Sequence, residues 1–282
     1  MGARPSNPRY TENVTATLPG RHFARNLIER RTLLMELVKR DFKQRFAGSA
    51  AGWLWGVIHP LVLLASWTFV FQVCLKSPTN SPLTDNYTIF LFCGFLPWLT
   101  FQETGSRSAA GLLDHSNLIT KTVFPSEVIP VSIFLSVLIN HLIAVALVLA
   151  AVIIWDHGVS PMAVFLPIYM LLTGMLAIGL GWITSSLNVY LRDTAQVVQV
   201  VMTLWFWLTP IFITRDMVPE QLRFLVDWNP LSYVVNGYRE LILNVNLPNF
   251  RDMAIVALFA IAVFVAGGLF FRHLKRGFAD VL

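Results

Sequence analysis

Residues 128–155 read VIPVSIFLSVLINHLIAVALVLAAVIIW, 28 positions without an Asp, Glu, Lys or Arg. A helix that crosses a bilayer needs about 20 mostly apolar residues. A surface helix of this length in water would carry a polar face, and this stretch has none. Five further segments follow the same rule: 53–75, 89–108, 162–187, 197–213 and 253–271. The predicted fold is therefore an all-α integral membrane protein with six transmembrane helices. The whole chain agrees, with 55% hydrophobic and only 13% charged residues against about 25% charged in soluble domains. Mean hydropathy is +0.61. That balance excludes a soluble globular domain and, being the opposite of a disordered composition, excludes disorder too.

Charge is concentrated at one end. Residues 1–51 hold ten Lys/Arg against four Asp/Glu, whereas the formal charge of the whole chain is +5. A basic arm can signal nucleic-acid binding, but this one runs directly into an apolar span. The positive-inside rule explains it better and places the N-terminus in the cytoplasm. Six spans then return the C-terminus to the same side, as the tail residues Arg272, Lys275 and Arg276 require. Inner segments carry 16 of the 21 Lys/Arg on this topology. Residues 1–21 read as a flexible cytoplasmic N-terminus. Residues 22–51 read as an amphipathic interface helix, with Phe23, Leu27, Leu34, Val38, Phe42 and Phe46 on one side and basic residues over much of the rest. No apolar core of a signal peptide occurs in the first 30 residues.

The membrane domain proper spans 52–282. Between spans five and six lies an external segment, 214–252, with two short amphipathic pieces at 219–227 and 231–243. Neither is long enough to cross, and a re-entrant hairpin suits them if protein buries the polar turn. Residues 107–127 form an inner loop with apolar residues of its own.

Phosphate and metal chemistry leave no trace in this sequence. There is no Gly-Lys dipeptide for a phosphate-binding loop and no His/Cys cluster at metal spacing; Cys74 and Cys93 are packing thiols. His59, His141 and His157 read as polar core or interface residues. Glu103 and Arg107 stand at (i, i+4), an ion pair on one helix face. Glu127 opens span three, where a carboxylate suits a helix N-terminus. A membrane-embedded glycosyl- or acyltransferase would need converging acid, base or nucleophile groups. An ion-coupled carrier would need more ionisable residues within its spans.

Specific motifs then appear in order. Arg40-Asp41-Phe42-Lys43-Gln44-Arg45-Phe46, Gly52-Trp53-Leu54-Trp55 and Pro60-Leu61 are followed by Pro97-Trp98, Asn117-Leu118-Ile119 with Lys121, and Phe124-Pro125. Asn188-Val189-Tyr190-Leu191-Arg192-Asp193 precedes Phe206-Trp207-Leu208-Thr209-Pro210-Ile211. Asn229-Pro230-Leu231, Tyr238-Arg239 and Phe278-Ala279-Asp280 close the series. Over about residues 25–282 this resembles the ABC type-2 polysaccharide-export permeases, the Wzm-like transmembrane subunits of O-antigen, capsule and teichoic-acid exporters. Ser126 stands where that family has a basic residue.

The resemblance implies a non-catalytic permease of the bacterial inner membrane. It would work as a homodimer with two cytoplasmic ABC ATPase subunits and move a polysaccharide, often lipid-linked, outward. This chain would bind no cofactor, since ATP and Mg would sit on the partner subunit, and no nucleic acid. Asn117, Leu118, Ile119 and Lys121 would form the coupling helix that docks on the ATPase. Trp98, Phe101, Trp205, Phe206, Trp207 and Phe212 become candidates for a glycan path, because sugar rings stack their C–H faces on aromatic rings. Tyr233, Tyr238 and Arg239 would gate the outer exit by hydrogen bonds within the hairpin.

Overall fold

The computed structural model describes residues 31–74, 83–84, 86–121, 124–155, 158–212, 214–244 and 249–282. Residues 1–30, which include the expected N-terminal arm and the start of the expected interface helix, lie outside the described residues, as does most of the loop after span one. Every regular element among the described residues is helical.

The chain enters through α1 (Arg31–Phe46), which lies along the uncharged stretch quoted above, now α5 (Val128–Trp155). Leu37 and Val38 are the buried contacts of α1, and Leu34 joins the cluster around Ile129, Ile133 and Phe134. A tight turn at Gly52, with φ +53°, leads into α2 (Trp55–Thr68) and a π turn at Phe69–Cys74. Pro60 lies inside α2, and Leu64 is its only buried residue.

The 28-residue α3 (Tyr87–Asp114) starts where the Asn86 side chain accepts from the backbone N–H groups of Thr88 and Ile89. That satisfies donors the first turn cannot pair internally. α3 packs on α5 and on α6 (Leu166–Tyr190), which is led in by a 3-10 turn at Pro161–Phe165 capped by Ser160. A six-residue α4 (Ser116–Lys121) lies between α3 and α5. After α6 come α7 (Thr194–Leu208), a short α8 (Arg223–Asp227) and α9 (Pro230–Leu243). α10 (Phe250–Leu274) packs along α6, and α11 (Phe278–Val281) ends the chain.

Among the described residues, four stretches are long and apolar enough to cross a membrane: Gly52–Cys74, Val128–Trp155, Pro161–Tyr190 and Phe250–Gly277. The two other predicted spans depart for separate reasons. α3 is long, about 42 Å, but it holds the centre of the bundle and carries Thr100, Gln102, Glu103, Thr104, Ser106 and Arg107 there. α7 has 15 residues, about 22 Å, and stops at Leu208. Its continuation, Thr209 to Phe212, is a buried non-helical segment.

The tightest helix crossing joins α6 and α10. A Cβ at Gly267 would stand 2.2 Å from the Gly179 carbonyl oxygen, and one at Gly179 would stand 2.6 Å from that of Val263. Two glycines thus let backbones touch, the usual device where apolar side chains gain nothing over lipid. Three ion pairs brace the α1 end of the bundle. Asp41 accepts from Arg107 at 2.5 Å, Glu103 lies 2.6 Å from Arg45 as an ion pair, and Glu127 accepts from Lys275 at 2.5 Å. Arg107 is also 3.5 Å from Glu103, the expected (i, i+4) pair, but the shorter partner of Glu103 comes from α1.

Candidate functional site

The six aromatic residues marked in the sequence fall into one ring network. Phe101 meets Trp205 edge-on at 5.2 Å, Trp98 meets Phe206 at 5.5 Å, and Phe206 meets Trp207 and Phe212 at 5.3 and 5.4 Å. Trp207 stacks on Phe212 at 5.5 Å. Offset and edge geometries of this kind add to plain area burial. The structure recruits three rings that sequence reading missed. Trp67 of α2 contacts Phe95 at 4.4 Å and Phe212 at 5.1 Å, and Phe71 stacks on Phe212 at 4.7 Å. Nothing in the local sequence separates them from other span aromatics.

Burial divides the six by role. Trp98, Phe101 and Phe212 are buried, Trp205 and Phe206 are half-buried, and Trp207 is 62% exposed. Val197, Val200, Val201, Leu204, Trp207 and Leu208 are all exposed along α7, and Trp55, Ile58, Leu61 and Val62 along α2. α2 and α7, both sparsely covered, therefore present apolar, aromatic-bearing faces.

At the far end of α7 the chain is held by Arg239 of α9, which is only 2% exposed. Its Nη1 donates to the Pro210 carbonyl at 2.8 Å, Nη2 to that of Ile211 at 2.5 Å, and Nε to that of Phe90 at 3.3 Å. The guanidinium carbon lies 3.6 Å above the Phe90 ring. No carboxylate among the described residues lies within salt-bridge distance. Three carbonyl dipoles and a ring face surround the cation instead. Gly94 makes the room, since a Cβ there would stand 2.6 Å from Nη2. The Tyr87 hydroxyl donates to the Phe212 carbonyl at 3.1 Å, completing the clamp.

Of the three residues expected to bond within the hairpin, two bond elsewhere. The Tyr233 hydroxyl does bond within the hairpin, to the Asp227 carbonyl at 2.9 Å. Tyr238 and Arg239 reach out of it. The Tyr238 hydroxyl is 2.8 Å from His141 Nε2, and His141 Nδ1 is 2.7 Å from Thr100 Oγ1. That chain links α9, α5 and α3, so His141 is a satisfied core histidine. The polar turn before α9 is also paired. Asn229 accepts from Trp205 Nε1 at 2.9 Å and donates to Thr209 Oγ1 at 3.0 Å.

Outside this core, Arg215 grips Asp227 through two parallel bonds of 2.6 and 2.7 Å. Hydrogen bonding to Arg215 holds the Asp227 carboxyl below the usual carboxylate range. A depressed carboxylate contributes fully above its ordinary value and loses that contribution as pH falls through the lowered one. A carboxyl-carbon NMR titration is expected to show Asp227 protonating later than an Asp in a short peptide. In Arg215→Gln the titration should return to the peptide position.

At the α1 end, α4 carries the residues marked for coupling. Asn117 and Thr120 are exposed, and Leu118 and Ile119 are half-buried. Ile119 packs against the cluster of Leu112, Ile129, Phe271 and Phe278. Lys121 is the last helical residue, and its side chain lies outside the described residues. The exposed positions of α4 are Asn117 and Thr120, and Ile119 anchors the helix. Ser126 is buried, and the positive charge beside Glu127 arrives from Lys275 of the tail.

Several membrane-long apolar helices packed into one bundle define a multi-pass integral membrane protein. The chain belongs to the ABC-2 type transporter family, whose domain matches residues 32–243. It is similar to the O-antigen export system permease protein RfbA of Klebsiella pneumoniae, with 29% identity over 253 residues, 89% of this chain and 95% of that protein. RfbA of Myxococcus xanthus is 26% identical over 258 residues, 91% and 97% of the two chains. The polysialic acid transport protein KpsM of Escherichia coli is 22% identical over 244 residues, 84% and 91%. The family expectation drawn from the ordered motifs is met.

Proposed function

We propose that this chain is the permease subunit of an ATP-driven exporter that carries a polysaccharide, commonly lipid-linked, across the bacterial inner membrane. The observation that carries the proposal is its end-to-end similarity to O-antigen export permeases, 95% of one and 97% of another being covered. A homodimer with two cytoplasmic ATPase subunits completes the assembly, and ATP with Mg binds on those partners. The exposed faces of α2 and α7 suit a second copy across a glycan path, with Trp207 and the half-buried Trp205 and Phe206 offering rings to sugar.

Six spans remain the preferred count, with both termini cytoplasmic. α3 supplies span two by length. α7 with its clamped continuation supplies span five. Non-helical backbone at membrane depth is tolerated where protein satisfies it, and Arg239 does this for Pro210 and Ile211. The same rule supports a re-entrant hairpin, since Asn229 at its turn is buried and paired.

The test is deletion of the gene followed by complementation. Surface polysaccharide should vanish, the polymer should collect inside the cell, and the wild-type gene should restore export. Undiminished surface polysaccharide in the deletion strain would refute the reading. Complementation with Asn117→Arg/Thr120→Arg should give normal membrane abundance without export, because bulky cations then occupy the ATPase-facing side of α4.

A further inference from the structure

Near the α1 end of the bundle a cavity of about 560 Å³ lies among α1, α2, α3, α5 and Gln199 of α7. Pockets for small ligands span about 300–1,000 Å³. Ionisable residues within a membrane domain mark a functional place by default, and Arg45, His59, Glu103 and Arg107 border this cavity. Its lining is mostly apolar, and the neutral hydrogen-bonding groups Asn140, Ser106, Gln102, Thr100, Gln199 and Ser49 are set among those surfaces.

Two of these groups are unmatched. Asn140, 9% exposed, has no partner for Nδ2, and Ser106 has none for Oγ. Buried polar atoms are nearly always paired, by protein or by whatever fills the space. The remaining groups are held in place. Gln102 Oε1 accepts from Trp98 Nε1 at 2.9 Å, and Thr100 is fixed by His141 at 2.7 Å. Gly56 lets α2 approach, since a Cβ there would lie 3.1 Å from Asn140 Oδ1.

Charge narrows the ligand. Arg45 and Arg107 border the cavity, but Glu103 and Asp41 neutralise them at 2.6 and 2.5 Å. Two cations matched by two carboxylates leave no net field to draw a phosphate. Amide and hydroxyl groups beside the apolar surfaces of Trp55 and Pro60 fit a neutral, polyhydroxylated ring. We infer that this cavity seats a sugar unit of the exported chain, with Asn140 and Ser106 bonding its hydroxyls; the inference rests on the glycan-export reading.

The test places the photoreactive residue p-benzoylphenylalanine in the full chain, in cells that contain its ATPase partner. It goes at Leu99 and Gln199 in the cavity, at Trp207 on the exposed face of α7, and at Leu258, 71% exposed on α10. Irradiated protein is purified under denaturing conditions and stained for carbohydrate by periodate oxidation. Glycan attached at Leu99 and Gln199 but absent at Leu258 is the expected result. Glycan at Trp207 alone would mean a cavity filled only with water, overturning the inference while export stands. No product at any position also overturns it, and the deletion strain then shows independently whether the export reading falls too. Asn140→Leu, close in size but without the donor, should export about fivefold more slowly at normal abundance, the effect of one lost hydrogen bond. Wild-type export by that variant would count equally against the site.

Discussion

Arg239→Met is expected to remove most of the protein from the membrane fraction. The guanidinium is the hydrogen-bond donor for the Pro210 and Ile211 carbonyls beyond α7, and it reaches the Phe90 carbonyl within α3. Methionine fills much of the volume but donates nothing, leaving buried acceptors without compensation. A hydrogen bond involving a charged group contributes about 1.5–3 kcal/mol, and this substitution removes the bonds to three carbonyls at once. Total stabilities of roughly 5–15 kcal/mol leave little after that loss. Arg239→Lys should recover only part, because one ammonium cannot reproduce a planar fork serving separate strands of backbone. Membrane abundance and the melting midpoint of purified protein check this, and an Arg239→Met protein of wild-type abundance and midpoint would refute the clamp.

The second large effect comes from a single methyl group. Gly267→Ala would place Cβ 2.2 Å from the Gly179 carbonyl oxygen, 2.8 Å from its carbon and 2.9 Å from its Cα. All three atoms are backbone, so no rotamer change relieves the clash. α6 and α10 must separate along the most extensive helix contact of the bundle. Overpacking typically costs about 1–3 kcal/mol and more where nothing can yield, so this variant belongs at the upper end. Gly268→Ala is the control beside it. Its Cβ would meet only Trp182 ring atoms, at 3.5 and 3.7 Å, and alanine is the better helix former by about 1 kcal/mol. Gly268→Ala should match or exceed the wild-type melting midpoint while Gly267→Ala falls several degrees below it. Equal midpoints for the two variants would show that α6 and α10 do not cross at these glycines.

Much of the architecture was legible because lipid makes the code simple. A stretch such as 128–155 has to be a helix, since a bilayer offers its backbone no other partner. The helical pieces of the external segment, predicted at 219–227 and 231–243, appear with nearly those bounds. Caps at Asn86, Asn229 and Asn249 follow local rules. The marked aromatics do converge, although their clustering could only be guessed from their number.

Other features were hidden for a physical reason. Arg239 lies near Tyr233 in the sequence, which suggested bonds within the hairpin, yet its acceptors stand 149 and 29 residues away. Glu103 had a ready partner four residues along its own helix, but Arg45 of α1 approaches more closely. Ile119 was marked with Leu118 for ATPase docking from the ordered motifs, and its packing on the cluster that holds Phe271 and Phe278 could not be read from them.

By itself, then, the sequence determined that the chain is a helical membrane protein, where most of its helices lie and to which family it belongs. Those properties depend on hydropathy, caps and motifs that act within a few residues. The tertiary structure decided which rings are buried and which face outward, what Arg239 holds, how closely Gly179 and Gly267 bring two helices, and that a cavity remains beside α2. Each of these depends on distances between segments far apart in the chain, and no local pattern encodes them.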